Sequence, residues 1–140
     1  MILLVDDNPD LLRPLELLLS VYGYEVGTAD SGHAALAKMS AAAPHCVILD
    51  YHMPEMDGMA VLRAIRAERR YDQVHVVLFT ADDRPELRAA AAAAGADAFV
   101  RKGSLDFAEL ERVVRDHCRP RRAPRPAVPP VPPERAKEAV

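Results

Sequence analysis

The sequence predicts an α/β domain: a parallel sheet with helices on both faces. Three observations carry this. Short apolar runs and amphipathic segments alternate five times with short links between them. Two of the runs, Ile2 to Val5 and Cys46 to Leu49, are apolar throughout and do not alternate with polar residues, as expected of strands covered on both faces. The chain has 140 residues, 50% hydrophobic and 28% charged, which suits one core and excludes a disordered or multi-domain protein. Right-handed crossovers then leave few topologies.

Ile2 to Val5 is the first apolar run, stopped by Asp6-Asp7. Asn8-Pro9 reads as an N-cap and first-turn pair, and Leu11, Leu15, Leu18 and Tyr22 follow at helical spacing, with Leu12 and Leu19 beside them, until Gly23. Pro14 would delete the bond to the Asp10 carbonyl, so a bend or a late helix start is expected. Glu25 to Ala29 is a second strand, and Ser31 caps a helix through Ala34, Leu36 and Met39 that ends before Pro44. Cys46 to Asp50 repeats the first pattern, an apolar run with a carboxylate at its end. A Pro-Glu-Met-Asp-Gly turn leads to a third helix marked by Met59, Leu62 and Ile65. Val74 to Thr80 is a fourth strand ending in a hydroxyl; Pro85 opens an alanine-rich helix that Gly95 closes. Ala98 to Val100 is a short fifth strand before Arg101-Lys102, and the last helix runs from about Ser104 to His117 with Leu110, Val113 and Val114 inward.

Charge and proline place the domain boundary. Residues 1–118 carry 12 Lys+Arg against 19 Asp+Glu, a net of −7, whereas residues 119–140 carry 6 against 2, a net of +4. Seven of the 12 prolines lie between Pro120 and Pro133, a density incompatible with helix or strand. Residues 1–118 are therefore the folded unit, and 119–140 a basic tail or linker, expected to stay disordered unless a partner holds it. The start meets two acids too early for a signal peptide and no apolar run reaches the length of a bilayer span, so a cytoplasmic location without membrane insertion is expected. Cys46 and Cys118 have neither metal-site nor disulfide-framework spacing and read as buried or half-buried thiols.

In open α/β sheets, ligands bind outside the carboxyl ends of the strands. Here those ends carry Asp6 and Asp7, Asp50, Thr80 and Lys102: three carboxylates, a hydroxyl and an ammonium on one edge. Three close carboxylates repel, and either a proton or a cation must relieve them. A hard divalent ion suits oxygen ligands on an open rim; Mg2+ is the expected cofactor, with Mn2+ as its substitute. A carboxylate beside such an ion can attack an activated phosphoryl group. Asp50 is the candidate nucleophile, since it stands alone on a central strand while Asp6 and Asp7 remain to hold metal. Lys102 can neutralise phosphoryl oxygens and Thr80 can donate a hydrogen bond to them.

With Val5-Asp6-Asp7-Asn8-Pro9, Leu49-Asp50-Tyr51-His52-Met53-Pro54-Glu55-Met56-Asp57-Gly58, Thr80-Ala81 and Gly95 to Lys102 in this order and spacing, residues 1–118 resemble the receiver domains of two-component response regulators, of the chemotaxis single-domain type. The resemblance implies a flavodoxin-like (βα)5 three-layer sandwich whose five parallel strands are ordered 2-1-3-4-5. It implies Asp50 as acceptor of a phosphoryl group from a histidine kinase or histidine phosphotransfer protein, and Mg2+ held by Asp7, Asp50 and the backbone carbonyl of His52, with Asp6 acting through water. It implies Thr80 and Phe99 as switch residues that alter the face made by the fourth helix, fifth strand and fifth helix, where a downstream protein would bind. His52 and Asp82 fall where side chains tune phosphoryl lifetime; for His52, an imidazole, that tuning would depend on pH. The family's usual proline after the lysine is replaced by Gly103. A non-proline cis bond costs about 3–4 kcal/mol, so a trans or mobile loop is expected there.

Simpler readings weigh differently by residue. An isolated acidic pair is usually a helix cap, and a strand aromatic such as Phe99 is usually core; only the joint pattern favours function. Met53, Met56 and Met59 read as packing, and His33, His45, His75 and His117 receive no role. The expected activity is a phosphorylation switch that acts catalytically only on its own Asp50. Three rival readings compete with it. An aspartate-nucleophile phosphatase would carry a second acid at position 52 and a substrate cap, and a nucleotide-binding reading needs a glycine-rich phosphate loop; both are missing from the sequence. A receiver-fold interaction module that does not rely on phosphorylation is the remaining alternative. The tail lacks aromatics and no helix-turn-helix follows Cys118, so direct DNA binding is not expected, while a homodimer is left open.

Overall fold

The computed structural model describes residues 1–102 and 108–117. Five parallel strands, β1 (Ile2–Val5), β2 (Val26–Ala29), β3 (Cys46–Leu49), β4 (His75–Thr80) and β5 (Ala98–Arg101), form one sheet in the order β2-β1-β3-β4-β5. The helices between and after them are α1 (Pro9–Val21), α2 (Gly32–Ala41), α3 (Gly58–Arg66), α4 (Pro85–Ala93) and α5 (Ala108–His117). Fold class and strand order are those expected. A short 3-10 turn at Arg69–Tyr71, which no apolar period announces, precedes β4 and anchors itself through the buried Tyr71 ring.

Strand periodicity divides the core. In β1, Leu3 and Val5 point to one face, where Val47, Leu49, Val76 and Leu78 meet side chains of α2, α3 and α4. Ile2 and Leu4 point to the other, where Ile48, Val77, Phe79 and Val100 meet Leu12, Leu15 and Leu19 of α1 and Leu110 and Val114 of α5. All four β1 residues are buried, which is why the run carries no polar alternation.

Local chemistry sets the helix starts. The Asn8 side chain accepts the Asp10 N–H at 3.0 Å and Pro9 occupies the first turn, so α1 begins there and not late, and it continues through Pro14. Pro14 lacks only the N–H that would have reached Asp10, a loss at one carbonyl in the first turns. Ser31 and Asp57 cap α2 and α3 by accepting the Ala34 and Ala60 N–H groups at 3.1 and 2.9 Å. Cys46, fully buried on β3, is disulfide-bonded, which corrects its reading as a thiol; Cys118, Gly103, the first residues expected of the last helix and the tail lie outside the described residues.

One side chain ties the edge of the sheet where the strands begin. At the end of α3, Arg66 donates to the carbonyls of Gly95, Tyr71 and Val74 at 3.0, 3.1 and 2.8 Å and to Asp97 Oδ2 at 3.0 Å. The same carboxylate oxygen accepts the Val76 N–H at 2.8 Å. An Arg66→Met variant keeps the stem and leaves these half-buried acceptors without their donor, so it should lower stability by about 2–3 kcal/mol. Urea unfolding with an unchanged m-value would measure it; a loss under about 0.5 kcal/mol would reduce Arg66 to an ordinary surface ion pair.

Candidate functional site

The register of the central strands builds the site. Val5 pairs with Leu49, so the residues that follow, Asp6 and Asp50, emerge side by side, joined by the Asp50 N–H donating to the Val5 carbonyl at 3.0 Å. Thr80 ends β4 beside them and pairs with Arg101, and the Lys102 N–H donates to the Thr80 carbonyl at 2.9 Å. One carboxylate oxygen each from Asp6, Asp7 and Asp50 lies within 4.8 Å of the others. Asp6 and Asp50 are buried and Asp7 is exposed, so the group opens to solvent on one side.

Lys102 closes the cluster. Its ammonium lies 2.6 Å from Asp6 Oδ2 and 3.4 Å from Asp50 Oδ1, and 5.6 Å from the centre of the Phe79 ring. The lysine therefore reaches the site although glycine follows it. The other Asp6 oxygen accepts the Asn8 N–H at 2.9 Å, tying the cluster to the start of α1. Asp50 Oδ1 accepts the Tyr51 N–H at 2.8 Å. Burial pushes the Asp50 carboxyl above its ordinary range; Lys102 opposes this, Asp6 adds to it, and the Tyr51 N–H opposes it again.

The rim contains a chain of contacts that sequence spacing shows only in part. His52 Nε2 lies 2.9 Å from Asp82 Oδ2, and Arg84 grips Asp82 through two guanidinium nitrogens at 2.8 and 2.7 Å. Arg84 holds the Asp82 carboxyl well below the usual carboxylate range; partial desolvation opposes it and His52 adds to it. Thr80 Oγ1, buried, accepts the Asp82 N–H at 3.3 Å. The structure thus brings together Asp6, Asp7, Asp50, Thr80 and Lys102, with His52 and Asp82 at the edge. Phe99 stands apart on β5, half-buried, with the Arg88 guanidinium 4.4 Å above its ring.

Two contributors escaped the sequence reading. Arg84 looked like a residue before a helix, and nothing local marks its grip on Asp82. Gly58 looked like the end of a turn, but a Cβ built there would lie 2.3 Å from the Asp50 carbonyl oxygen, and its N–H donates to the Tyr51 carbonyl at 2.8 Å. Only glycine lets α3 start against the backbone of the acidic residue; the turn motif was the available signal.

The arrangement is one found in known proteins. A family model described as the response regulator receiver domain matches residues 2–115. The transcriptional regulatory protein PrrA of Mycobacterium leprae is 38% identical over 101 residues, 72% of this chain and 42% of that protein. KdpE of Mycobacterium tuberculosis is 36% identical over 118 residues, 82% of this chain and 51% of that one. The chain thus spans about half the length of the curated relatives it matches. Among solved structures, the chemotaxis protein CheY4 of Vibrio cholerae superposes with a TM-score of 0.75 at 31% identity, covering 81% of this chain and 95% of that one. The response regulator TrrA of Thermotoga maritima, in complex with Mg2+ and BeF, gives 0.73 at 35%, covering 82% and 96%. With the sheet order, the acidic edge and the lysine already in place, the match over residues 2–115 makes this chain a member of the response regulator receiver domain family of two-component systems.

Proposed function

We propose that the chain is a phosphorylation switch: Asp50 takes a phosphoryl group from a histidine kinase or a histidine phosphotransfer protein, and the phosphorylated form changes its affinity for a downstream protein. The observation that supports this best is the pairing of a buried acidic nucleophile with a lysine 3.4 Å away. In the transfer, an Asp50 oxygen attacks phosphorus and the bond from phosphorus to the donor imidazole nitrogen breaks. The electron pair returns to the imidazole. Lys102 stands where a new phosphoryl oxygen's charge would need a partner, and the Thr80 hydroxyl can leave the Asp82 amide to donate to another.

The carboxylates fit a divalent cation, because three oxygens within 4.8 Å are hard donors whose mutual repulsion it would relieve. Asp7 and Asp50, with the His52 carbonyl, would hold Mg2+ or Mn2+, and Asp6 would act through water. When bound, the ion neutralises phosphoryl charge. The chain acts only on its own aspartate in this reading. Among the described residues no helix is long and apolar enough to cross a membrane, consistent with a switch that works in the cytoplasm. The output surface is the face of α4, β5 and α5, where Arg88 and Phe99 lie, through which the chain meets its partner or a second copy.

The test is intact mass after incubation with Mg2+ and acetyl phosphate. One phosphoryl adduct is expected, requiring Mg2+ and missing from Asp50→Asn. No adduct, with Mg2+ binding seen independently and a phosphorylated histidine donor also ineffective, would make the chain a docking module that does not use phosphorylation.

The Asp50 environment adds a sign. Its raised folded-state pKa means that the folded protein holds a proton which the unfolded chain releases near the ordinary value of 3.8. Stability contributed by this group is therefore present at low pH and lost as pH rises through the folded value. Without divalent cations, Asp50→Asn should melt higher than wild type at pH 7, and the difference should shrink on acidification. A variant that melts lower at pH 7 would show that the Lys102 attraction outweighs the burial.

For the rim, His52→Ala and Asp82→Ala should each change the half-life of the phosphorylated form at fixed pH by several-fold, a barrier change of about 1 kcal/mol. Both act on one contact, so the double variant should fall short of the product of the single effects. Half-lives equal to wild type in all three would remove the pair from lifetime control.

A further inference from the structure

Helix α1 carries more apolar surface than the core uses. Leu12, Leu15 and Leu19 are buried, yet Leu17, Val21 and the following Tyr22 are 67%, 76% and 57% exposed, the exposed large hydrophobics among the described residues. One flank of α1 is accounted for: Arg13 and Glu16 line a groove with Thr28, Asp30 and Lys38, so that flank faces β2 and α2. Leu11 and Leu18 lie on the opposite flank, which faces α5, since both helices cover the same side of the sheet and Leu11 packs in the core that contains Leu110 and Val114. With Leu17, Val21 and Tyr22 they make a continuous apolar strip along the outside of α1.

The position of the strip indicates what can reach it. Its Tyr22 end lies where the strands begin, since the Ile2 N–H donates to the Glu25 carbonyl at 2.8 Å just after it. Helix α5 ends at the same edge, with the His117 ring 6.0 Å from that of His75, the first residue of β4. The described chain therefore leaves α5 at the edge of the sheet where the strip ends, with 23 residues, Cys118 to Val140, still to follow. Neighbouring packed helices lie about 8–10 Å apart, and the ten residues from Cys118 to Ala127 reach about 30 Å when extended.

The sequence of this segment suits the strip in its order and the folded unit in its charge. Arg119, Arg121, Arg122 and Arg125 come first with no acid among them, against a folded unit of net −7. Pro126 to Pro133 then interleaves Val128 and Val131 with prolines. In polyproline II geometry these valines share one edge about 9 Å apart, close to the length of a strip from Leu17 to Tyr22 at about 1.5 Å per residue. Such segments dock on apolar surfaces that contain aromatics, at low entropic cost because proline has preset the chain, and an arginine can stack on the same ring.

We propose that residues 119–133 fold back in cis onto the Leu17, Val21 and Tyr22 strip of α1 and cover it. The contact depends on neither Mg2+ nor the state of Asp50, and it would withhold one face of α1 from any other protein.

The experiment uses the full chain, labelled with 15N, as wild type, V128E/V131E and L17S/V21S. All four sites are exposed or in the tail, and an unchanged melting midpoint confirms folding. Amide shifts on V128E/V131E should concentrate in residues 11–24, the heteronuclear NOE of residues 126–133 should fall in L17S/V21S, and both effects should be the same at widely different protein concentrations. The proposal is overturned by a tail that leaves the α1 shifts untouched, by shifts that gather at Asp6, Asp7 and Asp50, or by effects that appear only at high concentration with a doubled mass, which would make the occupant a second copy.

Discussion

Asp50 is a carboxylate held at 8% exposure with a second buried carboxylate beside it, a placement that water would not favour for either charge. The parallel pairing of β1 with β3 forces it, because residues that follow paired strand ends emerge together. The lysine that leaves β5 relieves it in part, by contacting Asp6 more closely than Asp50. Each carboxylate also accepts one backbone N–H, Asp6 that of Asn8 and Asp50 that of Tyr51, so the longer lysine distance is what leaves Asp50 the less compensated of the two. A carboxylate that is short of compensation gains most from an incoming cation, which is the electrostatic reason that this acidic edge suits a divalent ion.

Helices α3 and α4, which cover the same face of the sheet, are held unequally. Helix α3 buries Met59, Val61, Leu62 and Ile65 and is fixed at its end by Arg66, whereas α4 buries only Leu87 and Ala91 and starts at Arg84 without a side-chain cap. Few apolar contacts and an uncapped start make α4 the inexpensive element to displace. Its links to the site are short: Arg84 grips Asp82 on one side, and Arg88 covers Phe99 on the other. Two arginines thus join α4 to the Asp82 loop and to β5, while the helix has few buried apolar residues of its own.

Much of this was legible in the sequence because strands buried on both faces must be uniformly apolar and must end where charge begins. Val5-Asp6 and Leu49-Asp50 show both events within two residues, and the caps Asn8 and Ser31 show their chemistry directly. The misses have physical causes. At β2 the strand begins at Val26 and not at Glu25, because an edge strand with half-buried residues lacks a sharp apolar onset. Pro14 disturbs α1 less than its presence in the sequence suggests, because near a helix start its missing N–H affects a single early bond. The roles of Arg66, Gly58 and Arg84 come from partners elsewhere in the fold or from backbone approach, and neither periodicity nor local motif encodes those. The disulfide state of Cys46 likewise depends on the fold, and the spacing of cysteines along the chain does not reveal it.

The two edges of the sheet also divide stability from function. Where the strands begin, Arg66 and Asp97 satisfy three carbonyls, one amide and each other, and the glycine after α4, with φ of +104°, brings its carbonyl to the guanidinium. Nothing there calls for a ligand. Where the strands end, carboxylates outnumber the cation that faces them, and the closest approach is reserved for Gly58, whose missing side chain lets a helix start against the acidic loop. One edge has the polar satisfaction that the other lacks. Net stability of a domain is only about 5–15 kcal/mol, so the satisfied edge around Arg66 offsets part of what the under-compensated edge costs.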